Sequence, residues 1–347
     1  MRNITALLLA LVMALTLVAC GQTGSTPPSN EANASDGTFP QMGITIATTH
    51  PGNEKDPMYI YCKTFGDYVT EKTGGAVTFD ISSDGLLGND TEIAQGLTMG
   101  TLKMGITSNA AVSAYEPSQN FFSLPFMFAN ADEVHAYIDS DVVKEMNDAL
   151  YDDGLKVLSV IDGGFRQCLN RVHPINSVED FSGLKWRVPA MDLYVTTFNL
   201  MGANATPMSG AEVFTGLQQK TIDGCEFPIS SIYSMQLYTA VKYIDITNHQ
   251  YAAWYACVSD ELWESLGDEL QSIFTDAAAV ANEKSRAAQA SSEETQLEEI
   301  EAYGCVVNRN VDTTGMREAV APMYDEYRSS IGEDIFQRSM EFLTALR

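Results

Sequence analysis

Gly43-Ile44-Thr45-Ile46-Ala47-Thr48, then His50-Pro51-Gly52-Asn53, then residues 57–73 closed by Gly74-Gly75, then Val77-Thr78-Phe79-Asp80-Ile81: this run sets the fold class. The first six residues are rich in β-branched side chains and alternate, the pattern of a strand. Pro51-Gly52 breaks it. Tyr61, Phe65, Tyr68 and Val69 then recur at helical spacing, and the paired glycines stop the helix. Val77, Phe79 and Ile81 alternate again as a second strand.

The same order continues outward, with a helix expected over 90–99, a strand over 102–107, a helix over 132–150 and a strand over 155–161. Further strands read at 164–170, 185–189, 222–227 and 249–258, separated by helices such as 193–201 and 211–220. From 260 to 302 the chain is rich in Ala, Glu, Gln and Ser, with Leu262, Leu266, Leu270, Ile273 and Phe274 at spacings of three and four. That is one long amphipathic helix or a pair of them. No repeat of twenty to fifty residues is present. Strands alternating with helices predict an α/β fold with largely parallel sheets covered by helices. Ligands of such sheets sit outside the carboxyl ends of the strands.

The N-terminus places one charge, Arg2, before an apolar run over 4–19 that only Thr5 and Thr16 relieve. This is a signal-peptide pattern, too short for a spanning helix of ~20 apolar residues. It ends in Leu17-Val18-Ala19-Cys20-Gly21, which resembles a bacterial lipobox. The resemblance implies cleavage before Cys20 and lipid attachment to its thiol. An ordinary signal peptide followed by a chance cysteine is the competing reading. Residues 21–38 are Ser, Thr, Pro, Asn and Gly with little apolar surface, too little to offset the entropy of ordering. The expected organisation is therefore a signal peptide over 1–19, a tether over 20–38 and a folded region over 39–347, outside the cytoplasm and lipid-anchored. No later stretch reads as a transmembrane helix.

The formal net charge of −26 excludes nucleic acid as a partner. It also means that any site for an anion must overcome the global field with a few local cations. Spending Cys20 on lipid leaves five of the six cysteines, at 62, 168, 225, 257 and 305, with no C-x-x-C spacing. Zinc or thioredoxin-like chemistry has no support. Buried thiols are expected, with one disulfide as the alternative in an oxidising exterior. No H-E-x-x-H, G-x-S-x-G, Walker A or G-x-G-x-x-G word occurs. The histidines at 50, 135, 173 and 249 have no metal-ligand spacing. Neither an enzyme, nor a cofactor, nor a metal is expected.

Two arginines lie in predicted strands. In Lys185-Trp186-Arg187-Val188-Pro189 the two-residue period sets Arg187 opposite Trp186 and Val188; in Gly164-Phe165-Arg166-Gln167-Cys168 it sets Arg166 opposite Phe165 and Gln167. If the aromatic faces pack in cores, the arginines face a cleft or solvent. A guanidinium matches a carboxylate with two parallel hydrogen bonds, which lysine does not copy. Each charged hydrogen bond contributes ~1.5–3 kcal/mol, against ~8 kcal/mol for micromolar binding.

A series of words occurs in order: Phe121-Phe122-Ser123-Leu124-Pro125-Phe126-Met127-Phe128, Gly164-Phe165-Arg166-Gln167, Asn170-Arg171-Val172-His173-Pro174-Ile175, Val178-Glu179-Asp180-Phe181-Ser182-Gly183-Leu184-Lys185-Trp186-Arg187-Val188-Pro189, Met201-Gly202-Ala203-Asn204-Ala205-Thr206-Pro207-Met208, and Thr221-Ile222-Asp223-Gly224-Cys225-Glu226-Phe227-Pro228. From Ile44 to the C-terminus the chain resembles the DctP-type solute-binding proteins of TRAP (tripartite ATP-independent periplasmic) transporters.

The resemblance implies a two-lobe, periplasmic-binding-protein-like fold with hinge strands and a long connecting helix. One lobe would take about 39–163 with C-terminal segments, the other about 164–260. It implies Arg187 as the partner of a ligand carboxylate and Arg166 as a second contact. Many relatives carry Asn where this chain has Phe227, so an aromatic wall or a core residue stands there instead. Glu226 points into the cleft or away into the lobe. His50 follows the first strand, where relatives place ligand contacts; Ser108 and Asn109 follow the Gly105-Ile106-Thr107 strand end, within reach of the same ligand; and the Phe121–Phe128 word reads as packing. The implied function is capture of a small organic acid, a sugar acid such as a uronate or a C4-dicarboxylate, for delivery to membrane permease subunits. The rivals are a ligand-binding sensor lipoprotein and an enzyme acting on an acidic sugar.

Overall fold

A computed structural model describes residues 39–347; the signal peptide, Cys20 and the tether lie outside them. Nine strands form one mixed sheet: β1 Met42–Ala47, β2 Val77–Ser82, β3 Met104–Ser108, β4 Leu155–Asn170, β5 Lys185–Val188, β6 Asn204–Pro207, β7 Gly224–Pro228, β8 Tyr243–Ser259 and β9 Val306–Asn308. The order is β2-β1-β3-β8-β4-β7-β5-β6, with β9 on β8. β1 pairs in parallel with β2 and β3, and β5 in parallel with β6 and β7. The long β4 and β8 run antiparallel to each other and to their neighbours β7 and β3. The expected largely parallel sheet is thus two parallel trios joined by an antiparallel pair. At ~3.3 Å per residue, strands of 16 and 17 residues are long enough to serve both halves.

The separate strands expected at 155–161 and 164–170 are one strand. Gly163-Gly164 reads as a terminator in sequence but sits inside a register shift between Asp162 and Phe165. A side chain at Gly163 would lie 2.5 Å from the Ala252 carbonyl oxygen, so only glycine lets the strands approach there. The helix expected over 132–150 is two, Ala131–Ile138 and Asp141–Ala149, because Ser140 caps the second through the Val143 amide. The segment after 260 is likewise a pair, Asp260–Ser265 and Gly267–Tyr303, split at Gly267 with φ +64°.

The long helix Gly267–Tyr303 ties the halves together. Its first turns bury Leu270, Phe274, Ala277 and Ala281 with Ile44, Tyr61, Phe65 and Val77 of the N-terminal trio. Its last turns bury Leu297 and Ile300 with Leu217, Cys225, Ile232 and Ile244. Between them the buried stripe turns polar: Ser285 donates to the Pro57 carbonyl (2.8 Å), and Gln289 is buried beside Gly163 and Gly164. The third core holds Phe121, Phe122, Phe128, Trp186 and Phe198, which places the Phe121–Phe128 word in packing. Cys62, Cys168, Cys225, Cys257 and Cys305 are all buried free thiols. Among the described residues no helix is long and apolar enough to cross a membrane.

Candidate functional site

A cavity of about 690 Å³ opens between the two trios. Its walls come from the carboxyl ends of the parallel strands, where such sheets place ligands: Thr49 and His50 beyond β1, Ser108 at the end of β3 with Asn109 just after it, Arg187 and Pro189 at β5, Met208 beyond β6 and Phe227 on β7. Arg166 of β4 and Trp254 of β8 complete them, with Asp90 from the start of the helix Asp90–Thr98. Of the sequence-predicted site residues, Arg187, Arg166, Phe227, His50, Asn109 and Ser108 line this one cavity, and Glu226 does not.

Arg187 is held by one acceptor. Its Nε and Nη2 both donate to the Met208 carbonyl, at 2.9 and 2.6 Å, which fixes the plane of the guanidinium. Nη1 is buried without a hydrogen-bond partner. Arg187 is 3% exposed, lying against the Phe227 ring and the Met208 carbonyl, while Trp186 and Val188 on the other face of β5 are packed in the core, Trp186 stacking on Phe198 at 5.3 Å. Burial lowers the Arg187 pKa from its ordinary value, against the pull of the nearby Glu226 charge.

Arg166 is differently placed. Its Nε pairs with Glu226 Oε2, and its Nη2 donates to Glu226 Oε1 and to the Glu226 carbonyl, both at 2.9 Å. β4 and β7 bring the pair together, since Arg166 lies opposite Pro228 and Cys168 opposite Glu226. Glu226 is fully buried behind Arg166. Burial, the largest single influence, raises its carboxyl, but the Arg166 charge and hydrogen bonds together with the neighbouring His249 outweigh it and hold the pKa below the ordinary carboxylate range. His249 Nε2 lies 3.8 Å from Glu226 Oε2, beyond hydrogen-bonding distance, and is buried without a partner. Phe227 stands between the two arginines, with the Arg187 Cζ 5.0 Å and the Arg166 Cζ 5.4 Å from its ring centroid.

On the other wall, His50 Nδ1 lies 3.0 Å from Asp56 Oδ2, while Asp56 Oδ1 caps the helix Pro57–Lys72 through the Met58 amide. Burial works against a charge on His50, but Asp56 and Asp90 outweigh it and raise its pKa. His50 Nε2 and Trp254 Nε1 are buried without partners, and the two rings meet edge to face at 4.2 Å. Asn109 has less to offer: Nδ2 donates to Ser123 Oγ (2.7 Å), and Oδ1 accepts from the Tyr255 hydroxyl (3.0 Å).

Sequence reasoning missed Asp90, Trp254 and Met208. The Asn89…Glu92 capping box was a signal that Asp90 opens a helix, yet nothing local singles it out from 46 acidic residues. Among the described residues no cluster of three or more His, Cys, Asp or Glu is arranged to hold a metal ion.

With this geometry in place, likeness to known proteins is informative. The model of the bacterial extracellular solute-binding proteins, family 7, matches residues 48–330. The 2,3-diketo-L-gulonate-binding periplasmic protein of Escherichia coli is 27% identical over 268 residues, 77% of this chain and 82% of that one. The sugar acid binding protein of Advenella mimigardefordensis in complex with galactonate superposes with a TM-score of 0.85 at 26% identity, covering 89% of this chain and 99% of the other. A TRAP periplasmic solute-binding protein from Sulfitobacter with bound β-D-galacturonate gives 0.82 at 28% identity, covering 87% and 99%.

Proposed function

The chain belongs to family 7 of the bacterial extracellular solute-binding proteins, the solute-binding proteins of TRAP transporters, and we propose that it captures a small organic acid in the cavity at Arg187 and hands it to a membrane permease. One observation carries this reading: Arg187 is a buried guanidinium with an unpartnered Nη1 and no carboxylate of its own. A buried charge left unpaired is costly, and a ligand carboxylate removes that cost while gaining a charge-assisted hydrogen bond. Arg166, with Glu226 as its counterion, Phe227, His50, Ser108 and Asn109 form the surrounding walls.

The relatives that bind 2,3-diketo-L-gulonate, galactonate and galacturonate support an organic acid as ligand. The protein acts as a binder and not as a catalyst. Its two lobes, about 39–163 with C-terminal segments and about 164–260, close on the ligand and present a joint surface to the permease. Lipid on Cys20, after removal of residues 1–19, tethers it outside the cytoplasm through the segment 20–38.

A thermal-shift screen of the mature domain against sugar acids and dicarboxylates tests the binding claim. A ligand at a hundredfold over its dissociation constant adds ~2.7 kcal/mol to stability, a clear rise in melting temperature. The absence of stabilisation by any acid overturns the reading.

A further inference from the structure

Asp56 is 1% exposed, and both of its carboxylate oxygens are occupied. Oδ1 accepts from the Met58 amide at 2.9 Å and the Tyr59 amide at 3.3 Å, the capping bonds of the helix Pro57–Lys72. Oδ2 faces away from that helix. It lies 3.0 Å from His50 Nδ1 and accepts from the Ser234 hydroxyl at 2.9 Å. A carboxylate accepts hydrogen bonds, so the first contact places a proton on His50 Nδ1 and fixes the orientation of the ring.

Ser234 belongs to the other half of the sheet. It ends the helix Ile229–Ser234, which follows β7 directly, whereas Asp56 stands between β1 and the helix Pro57–Lys72. The contact therefore crosses between the two parallel trios. The preceding residues cross as well: Lys55 Nζ donates to the Tyr233 hydroxyl at 2.9 Å and lies 4.9 Å from the centre of its ring. That hydroxyl in turn donates to Glu299 on the long helix. Residues 55 and 56 thus meet 233 and 234 one to one. Both ends of the crossing return to the cavity, since His50 lines it on one side, and Ser231 and Met235, on either side of Ser234 in sequence, line it on the other.

We propose that Asp56 is a positioning residue that couples the cavity wall to closure of the protein: one carboxylate oxygen holds the His50 ring in the wall and clasps Ser234 across the cleft, so that a bound acid is retained by a contact it never touches. Capping the helix needs one oxygen only. The other serves two donors that the helix does not contain. When the halves part, Oδ1 keeps the helix capped, while Ser234 and Lys55 exchange their partners for water. The clasp therefore stabilises the closed form alone, and a contact made in one of two states shifts the equilibrium toward that state. A ligand held in the closed form then leaves more slowly, while its entry into the open form is little affected.

Because this role presupposes the organic-acid capture proposed above, the probe is the tightest binder among galactonate, galacturonate, 2,3-diketo-L-gulonate and succinate, followed by stopped-flow kinetics on the mature domain. Ser234→Ala should raise the dissociation rate by about tenfold and change the association rate by less than about threefold. Asp56→Ser, which keeps a capping oxygen and removes the second one, should raise dissociation by about 30-fold, since it releases His50 as well. The double variant should be no faster than Asp56→Ser, because the clasp is lost only once. Ser234→Thr, which retains the hydroxyl, should stay within about twofold of the wild type. An unchanged dissociation rate in Ser234→Ala, or rate increases that multiply in the double variant, overturns the proposal. So does an Asp56→Ser domain that loses ligand-free stability yet holds the acid as long as the wild type, which would make Asp56 a helix cap and nothing more. If Arg187→Lys abolishes binding while Ser234→Ala is silent, only the clasp fails. If Arg187→Lys keeps full affinity, or none of the four acids binds the wild type, the capture site fails and the clasp with it.

Discussion

Arg166 and Arg187 stand 21 residues apart in sequence and line the same cavity, both almost fully buried, yet their surroundings are opposite. Arg166 has a carboxylate of its own in Glu226, reached by two side-chain contacts. Arg187 has only the Met208 carbonyl, and one of its terminal nitrogens is idle. A buried cation whose partner is supplied by the fold is part of the fold. One whose partner is withheld is, on the function proposed above, open to a carboxylate that the fold does not contain. Residue type and burial do not separate the two roles; the accounting of donors and acceptors does.

The largest expected effect tests the structural side of the contrast. Arg166→Ala leaves Glu226 buried and uncompensated, which should cost about 3–5 kcal/mol of stability. Urea unfolding of the ligand-free domain measures it. The double change Arg166→Met with Glu226→Leu should restore most of the loss, since a well-packed apolar pair often replaces a buried ion pair at little cost. An Arg166→Ala domain as stable as the wild type would break the comparison.

The functional side predicts the reverse pattern at Arg187. Arg187→Lys removes no counterion, so ligand-free unfolding should shift by less than ~1 kcal/mol. Affinity for the bound acid should fall by about 2–4 kcal/mol, ~30-fold to ~1,000-fold, because an ammonium does not reproduce the planar fork. Titration calorimetry against the best ligand of the screen reads this directly. A large loss of ligand-free stability without a change in affinity would exchange the roles assigned to the two arginines.

How far this contrast was legible in the sequence follows from the range of each interaction. The period-two pattern at Trp186, Arg187 and Val188 is local, so alternation alone set Arg187 apart from the core face of its strand. The Arg166–Glu226 pair spans 60 residues and depends on how β4 registers against β7, which no local pattern encodes. Glu226 therefore stayed undecided between cleft and lobe. Asp90 was lost among many acids for the same reason. In the fold, strongly alternating strands and capped helices were readable. The direction of β4 and β8, and their continuity through Gly163-Gly164, were not, because a glycine pair marks a chain break and a close strand contact alike. The edge strand Asn204–Pro207 was missed because it is polar and ends in proline, as edge strands do.

Phe227 offers the finest discrimination, since its ring lies against both guanidiniums. A cation–π contact is worth ~0.5–2 kcal/mol depending on desolvation. On the Arg166 side the guanidinium is already oriented by Glu226, so loss of the ring should leave its position intact. On the Arg187 side, Met208 and the ring are the two features that orient it, and only the carbonyl would remain. Phe227→Leu keeps an apolar side chain in the core it shares with Leu217 and Ile232, so stability should fall by only ~1 kcal/mol. Ligand affinity should fall by about fivefold, with the loss confined to variants that retain Arg187. In an Arg187→Lys background the same substitution should change affinity by less than about twofold, because the geometry it supports is already gone. Equal effects in the two backgrounds would mean that Phe227 acts as a wall of the cavity in its own right, independent of the guanidinium beside it.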